Sequence, residues 1–142
     1  MNPVALLNLV STIFMTGLIW FVQVVHYPLH GAVPEESFVD YQQRHMLRTT
    51  FVVALPMLTE FATAAYLAYR PPFGPTWVWM AGVVLVLVTT LSTYFLQRPA
   101  HVQLQSGLDA ETHHFLVQSN WIRTLAWSLR SILWGYLLVV SY

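Results

Sequence analysis

The sequence HYPLH at residues 26–30 is echoed by QRPAH at residues 97–101, and the two copies share a Pro-x-His element. Further along, QRHMLRT at residues 43–49 is echoed by QSNWIRT at residues 118–124, which shares a glutamine and an Arg-Thr pair. The proline and the arginine are separated by 20 residues in the first copy and by 24 in the second. Because both elements recur in the same order, we interpret the chain as a tandem duplication.

Four apolar runs surround these elements, at about residues 4–25, 46–69, 77–96 and 121–140. Each has about the 20 residues that a helix needs to cross the apolar core of a bilayer. The chain is 56% hydrophobic and only 8% charged, whereas soluble domains carry about 25% charged residues. The sequence therefore predicts one all-α transmembrane domain over residues 1–142. This four-helix bundle would consist of two tandem helix hairpins, related by a pseudo-two-fold axis along the membrane normal.

The connections between the runs differ in length. Residues 70–75 (RPPFGP) can form little more than a turn between the second and third runs. The other two connections are longer and polar, and each contains a typical helix start. Proline and two acids stand at residues 34–36, and Asp109 is a suitable N-cap. We expect helices at about 34–45 and 110–120 that lie along the membrane surface before the chain turns inward.

The distribution of arginines predicts the orientation of the bundle. Arg44, Arg48, Arg98 and Arg123 lie at the face of the bundle that carries all six histidines, whereas only Arg70 lies at the opposite face. Short loops rich in basic residues stay in the cytoplasm. We therefore expect a bacterial inner-membrane protein with a cytoplasmic histidine rim and with both termini on the non-cytoplasmic face.

Composition also limits the chemistry. The net charge is zero and there is no basic run, which gives no indication of a nucleic-acid partner. Cysteine and lysine are both absent. This excludes disulfides, thiolate metal ligands, a cysteine nucleophile and a lysine Schiff base within this sequence.

Polar residues recur along each apolar run at helical spacing, so each set shares one helix face. Lipid cannot satisfy these groups, and we expect the four faces to point at each other. Hydroxyl residues among them often serve only to pack membrane helices together. The four sets are Asn8, Thr12, Thr16, Gln23, His26 and His30; Thr49, Pro56, Glu60 and Thr63; Gly82, Thr89, Thr93 and Gln97; and Asn120, Arg123, Trp127, Arg130 and Trp134.

Glu60 and Arg130 are the charged residues that lie deepest in the apolar runs. An unpaired charge at the centre of a bilayer costs from about 3 to over 10 kcal/mol. We therefore expect these two side chains to pair, directly or through water. The pair either holds the second and fourth helices in register or lines a polar pocket.

The six histidines allow two interpretations. His26 and His30 have the i, i+4 spacing of helical metal ligands, and of His113 and His114 at most one can point inward. Interfacial histidines, however, more often form hydrogen bonds or contact headgroups, and haem needs two axial ligands that face each other across a deep pocket. The sequence therefore assigns no metal and leaves the cofactor unknown. The rim arginines could equally bind lipid phosphates.

The sequence NWIRT at residues 120–124, together with His26-x-Pro28, resembles small four-helix membrane proteins related to anthrone oxygenases. The resemblance extends loosely over most of the chain. It implies a lipophilic aromatic or quinone-like substrate within the bundle, and an asparagine–arginine element near the mouth of its site. It implies no particular cofactor.

Two functions fit the sequence. In the first, a polar intramembrane pocket opens at the histidine and arginine rim and binds or transforms a lipophilic small molecule. His26, His45 and His101 would act as acid, base or hydrogen-bond donor, and Arg123 would stabilise an oxyanion or carbonyl oxygen. The pocket itself would be lined by Gln23, Glu60, Thr93, Asn120, Trp127 and Arg130.

In the second, the chain is an accessory structural subunit of a larger respiratory or photosynthetic membrane complex. Its minimal loops and its tryptophans, such as Trp20, Trp77 and Trp79, would then pack against lipid or partner helices. A small transporter is a third and weaker interpretation. Whether the protein is an enzyme is left open.

Overall fold

A computed structural model describes residues 2–141, which form four long helices and, within that range, no strands. The helices are α1 (Pro3–His30), α2 (Glu35–Tyr69), α3 (Thr76–Ser106) and α4 (Ala110–Ser141). All four are long and apolar enough to cross a membrane. The all-α four-helix class predicted from the sequence is confirmed.

The helix starts follow from local sequence. At α1, the side chain of Asn2 accepts a hydrogen bond from the backbone N–H of Val4 at 2.8 Å, and Pro3 occupies the first helical position. At α4, Asp109 accepts from the backbone N–H of Thr112 at 2.8 Å, as predicted for an N-cap. The Thr112 hydroxyl also donates to Asp109, and these two bonds hold the pKa of that carboxyl below its usual value.

The structure differs from the sequence prediction in the polar connections. The separate surface helices expected at about 34–45 and 110–120 are instead the first turns of α2 and α4, which run unbroken for 35 and 32 residues. No proline or glycine lies between residues 35 and 55 or between residues 110 and 134, so nothing interrupts the helical hydrogen bonding. At about 1.5 Å per residue, each helix is longer than the roughly 30 Å apolar core of a bilayer.

Each repeat element contains the same backbone irregularity. A π-helical turn spans Val22–His26 in α1 and Thr93–Gln97 in α3, and each turn ends two residues before its proline, Pro28 or Pro99. Proline lacks an N–H, and its ring crowds the carbonyl four residues earlier, so a wider turn accommodates it. The recurrence of this π-helical turn at the same position supports the tandem duplication.

The four helices form a square in cross-section. α1 packs closely on α2 and α4, and α3 packs on the same two neighbours, so that α1 lies diagonally opposite α3. This is the arrangement expected of two helix hairpins related by a two-fold axis through the bundle. The side chains follow the symmetry less closely, because Arg48 is exposed whereas its counterpart Arg123 is partly buried.

Three apolar clusters divide the interior along its length. At the end that holds the chain termini and the 70–75 turn, one cluster comprises Ala5, Leu67, Val78, Trp79, Trp134 and Leu137. The central cluster comprises Met15, Ile19 and Trp127. At the histidine end, the third comprises Tyr27, Phe38, Ala100, Leu104 and Leu116. The polar residues lie between and around these clusters, while large apolar side chains such as Phe51 and Leu55 cover the outer surface.

Candidate functional site

The Glu60–Arg130 ion pair predicted from the sequence is present. Nε of Arg130 donates to Oε1 of Glu60 at 2.8 Å, and both side chains are almost completely buried. Thr12 donates to the same carboxylate oxygen at 2.8 Å, and the indole N–H of Trp127 donates to the other oxygen at 2.7 Å. The carboxylate therefore has three donors from two neighbouring helices, and one of these donors is its countercharge, Arg130.

Arg130 in turn connects Glu60 to the remaining helices. Its guanidinium donates to the backbone carbonyl of Gly82 on α3, and to Asn8 and Thr12 on α1 at 3.2 and 3.1 Å. The side chain of Asn8 donates to the carbonyl of Glu60 at 3.2 Å and accepts from the indole of Trp134 at 3.0 Å. This polar centre thus ties all four helices together. The space beside Arg130 is about 20 Å³, which is room for about one water molecule.

A larger cavity, of about 350 Å³, lies on the histidine side of Trp127. Its apolar lining residues are Met15, Leu18, Ile19, Val22, Met46, Val53, Met57 and Trp127. Its polar lining residues are Tyr27, His45, Thr49, Thr50, Thr93, Gln97, Arg98, His101 and Arg123. All four helices contribute to the lining. The volume lies at the lower end of the range of about 300–1,000 Å³ that is typical of small-molecule pockets.

Arg123 is one of the polar lining residues of this cavity and is held in place by neutral groups. Its guanidinium donates to Oδ1 of Asn120 from Nε and Nη2, at 2.9 and 2.6 Å, and to the hydroxyl of Thr93 at 3.1 Å. The amide of Asn120 donates to Gln23 at 2.8 Å, and the Trp127 ring lies 5.9 Å from the guanidinium carbon. Asn120 and Gln23 therefore orient the arginine and do not line the cavity themselves.

Two histidine contacts lie beside Arg123 among the polar lining residues. Nε2 of His101 is 3.1 Å from the hydroxyl of Tyr27. Nδ1 of His45 is 3.1 Å from Nε2 of His26, and these two rings are stacked with their centroids 4.6 Å apart. His45 and His101 line the cavity, whereas His26 contacts it only through His45.

Behind these residues, Gln42 connects two further imidazoles. Its side-chain NH₂ donates to the carbonyl of His101 at 2.8 Å, and its Oε1 is 2.7 Å from Nε2 of His30. His30 is fully buried and stacks on His113, which is bound to the carbonyl of Tyr27 at 2.9 Å. His114 is exposed, so only one member of the His113–His114 pair points inward, as predicted.

A metal site would need several histidine or acidic side chains arranged around one point. Five of the six histidines are close together, but within residues 2–141 no group of three or more histidine or acidic side chains is arranged to hold a metal. Nδ1 of His30 is buried without a hydrogen-bond partner. With Nε2 directed at the Gln42 oxygen, this atom is the acceptor of a neutral imidazole.

The structure separates the site residues predicted from the sequence into three groups. His45, His101, Arg123, Thr93 and Trp127 line the 350 Å³ cavity. Gln23, Asn120 and His26 lie behind the lining residues and hold them. Glu60 and Arg130 do not line this cavity but form the separate polar centre on the other side of Trp127.

Sequence reasoning missed most of the cavity lining, and among the polar residues of the site it missed Tyr27 and Gln42. Tyr27 lies next to a predicted histidine, but an aromatic residue just beyond an apolar run is usually interpreted as an anchor at the membrane surface. Gln42 precedes His45 by three positions, which places both on one face of a helix. That spacing was available as a signal, but the expectation of a surface helix over this segment concealed it.

Comparison with known proteins provides no relative from which a role could be transferred. No family model, curated protein or solved structure matches this chain.

Proposed function

We propose that this membrane protein binds a lipophilic aromatic or quinone-like small molecule in the 350 Å³ cavity. The observation that carries the proposal is the uneven lining. On α1 the lining from Met15 to Val22 is apolar, whereas α3, diagonally opposite, contributes only polar residues, His101 among them. Arg123, Tyr27 and His45 add polar groups from the other helices. Such a division fits a flat apolar body with oxygen atoms at one edge.

The polar lining residues supply donors for those oxygen atoms. Arg123 is a permanent donor, and the phenol of Tyr27 and the imidazoles of His45 and His101 can donate or accept. A carbonyl oxygen of the ligand would accept from Arg123, and a histidine would deliver or remove a proton if the bound molecule reacts. The Glu60–Arg130 pair is given a structural role, because the space beside it admits only about one water.

We also propose the relationship to anthrone oxygenase-related membrane proteins and the orientation inferred from the arginines. The relationship rests on the sequence NWIRT at residues 120–124 together with His26-x-Pro28. In this orientation the histidine end lies on the cytoplasmic side of a bacterial inner membrane, and both termini lie on the other side.

The test uses 2-methyl-1,4-naphthoquinone as the probe, with the protein in a neutral detergent. The chain has no cysteine that the quinone could alkylate. A ligand that binds only the folded state stabilises it by about 2.7 kcal/mol at a hundredfold excess over Kd. We therefore expect the Tm of the wild-type protein to rise by about 9 °C at such an excess.

Two neighbouring valines provide matched variants. Val53 lines the cavity, whereas Val52 on the same helix is 47% exposed on the outer surface. Val53→Phe should push a ring into the cavity and abolish the rise in Tm, and Val52→Phe should leave the rise unchanged. An equal rise in both variants would place the quinone on the outer surface, and an unchanged wild-type Tm at saturating probe would also contradict the proposal.

A further inference from the structure

Two arginines lie seven residues apart on α4, and they differ in whether an acid neutralises their charge. Arg130 is paired with Glu60. Arg123 is hydrogen-bonded to Asn120 and Thr93, both of which are uncharged. Its other neighbours are Trp127, which presents the face of its ring, and the uncharged phenol of Tyr27, with which the guanidinium interacts.

The acids of the described chain lie away from Arg123. Glu60 forms an ion pair with Arg130, and Asp40 forms one with Arg44. Asp109 accepts a hydrogen bond from Thr112. Glu35, Glu36 and Glu111 stand in the first turns of α2 and α4 and are exposed. Within residues 2–141, Arg123 therefore has no carboxylate as a partner.

The cavity in front of Arg123 adds positive charge and no negative charge. Its titratable and charged lining residues are Tyr27 on α1, His45 on α2, Arg98 and His101 on α3, and Arg123 itself. No aspartate or glutamate lines it. A guanidinium within a membrane-spanning helix is costly when it is not neutralised, and the open space beside it is where a neutralising group can enter.

We infer that the ligand of this cavity is a lipophilic weak acid, bound as its anion with the acidic group against Arg123. This inference rests on the function proposed above and specifies the chemical class of the ligand. A carboxylate or phenolate fits because a guanidinium offers parallel N–H donors to two oxygens. Tyr27 and His101, which are in contact with each other, provide neutral donors beside it.

The size of the cavity limits the apolar part of the ligand. A cavity of about 150 Å³ is large enough for benzene, so about 350 Å³ accommodates a body of two or three fused rings. A two-chain phospholipid would have to leave its acyl chains outside, with only its phosphate at Arg123. Basic sites between membrane helices also bind lipid phosphates, so the experiment must distinguish the two sources of anion.

The experiment compares 2-naphthoate with 2-naphthamide, which has the same shape and no charge. Binding is measured by isothermal titration calorimetry at pH 7.5 in a neutral detergent. The acid should bind the wild-type protein about tenfold more tightly than the amide, because a charge-assisted pair is about twice as strong as a neutral hydrogen bond. Equal affinities would overturn the inference but leave the proposed function standing. Failure of both probes to bind would count against the proposed function itself.

Variants then show which residue causes the preference for the acid over the amide. Arg123→Gln should reduce the ratio of the two affinities to about one, and Arg123→Lys should keep part of it. Arg48→Gln is the matched control, because Arg48 is the repeat counterpart of Arg123, is exposed at the same end and does not line this cavity. An equal loss of preference in Arg48→Gln would show a general surface field and overturn the assignment. If Arg123→Gln fails to fold, the wild-type comparison of acid and amide still decides the question.

A lipid arm completes the test. The wild-type titration with 2-naphthoate is repeated in nanodiscs of phosphatidylcholine alone and of phosphatidylcholine with phosphatidylglycerol. An unchanged affinity for 2-naphthoate supports a small aromatic acid as the ligand. Loss of naphthoate binding in the presence of phosphatidylglycerol would assign the site to a lipid phosphate and overturn the proposal.

Discussion

At the scale of single residues, the position of Glu60 could be inferred from the sequence because it is the only one of the six acids that lies inside an apolar run. An acid inside lipid needs a countercharge, and Arg130 is the cation that lies deepest in the apolar runs. Arg123 was harder to place. Its partners, Asn120 and Thr93, are neutral groups of which the chain has many, so no argument from charge could identify them.

The ion pair leads to the first prediction. Glu60→Gln and Arg130→Met should each lower the free energy of unfolding by about 3–5 kcal/mol, because each leaves the other charge buried without its partner. The double variant should recover much of this loss. Thermal unfolding of the four proteins in detergent measures the coupling.

The double variant also separates the polar centre from the cavity. It should still bind 2-methyl-1,4-naphthoquinone, because neither residue lines the cavity. Purely additive destabilisation would contradict a direct contact. Loss of probe binding in a folded double variant would contradict the structural role given to the pair.

Two glycines provide a second prediction at this scale. A methyl group at Gly31 would come within 2.6 Å of the His113 ring, which is held by the stack on His30 and the bond to the Tyr27 carbonyl. Gly31→Ala should therefore destabilise the protein by about 1–2 kcal/mol. Gly17 on α1 has open space around it, so Gly17→Ala should stabilise by about 0.5–1 kcal/mol. Differential scanning calorimetry of both variants checks the difference, and equal effects would mean that His113 is not fixed there.

At the scale of helices, the four apolar runs and the helix starts at Glu35 and Ala110 could be predicted, because composition and caps act locally. The length of the helices could not be predicted. A hydropathy pattern shows where lipid begins, but a helix continues into water if no proline or glycine stops it. The π turns before Pro28 and Pro99 were likewise hidden, because proline can also kink or end a helix.

The unbroken α2 helix leads to the third prediction. The chain has no native cysteine, so a single cysteine can carry a spin label without background. A label at Glu36, in the first turn of α2, should be accessible to a water-soluble nickel complex. A label at Leu58, which is 68% exposed, should be accessible to oxygen but not to the complex.

Residues 36 and 58 are about 33 Å apart along one helix, which is enough to separate water from the bilayer core. Electron paramagnetic resonance in liposomes measures both accessibilities. Access of the nickel complex to Leu58 would show that α2 does not cross the membrane there.

At the scale of the whole molecule, the bundle has one end with the chain termini and the 70–75 turn and another end with the histidines. The first is closed by the apolar cluster around Leu67 and Trp134, and the second contains the cavity and five clustered histidines. The duplication predicted that the histidines would meet at one end. It did not predict the cavity, because a void results from how the side chains of four helices fail to fill a shared space, and no single segment determines that.

Orientation is the fourth prediction. The positive-inside argument places both termini on the non-cytoplasmic face. An alkaline phosphatase fusion at the C-terminus should therefore be active in a bacterial host, whereas a green fluorescent protein fusion should remain dark. The opposite pattern would put the histidine end outside the cytoplasm, and the cavity would then receive its ligand from that side.

The central claim is that a lipophilic small molecule occupies the cavity lined by Val53. Its most direct test is native mass spectrometry of the protein extracted gently from its membrane, with the wild type, Val53→Phe and Val52→Phe compared. We expect one small aromatic molecule per wild-type and Val52→Phe chain, and none on Val53→Phe. A wild-type chain that carries no such molecule and leaves the membrane with a stoichiometric protein partner would contradict the claim and favour an accessory subunit.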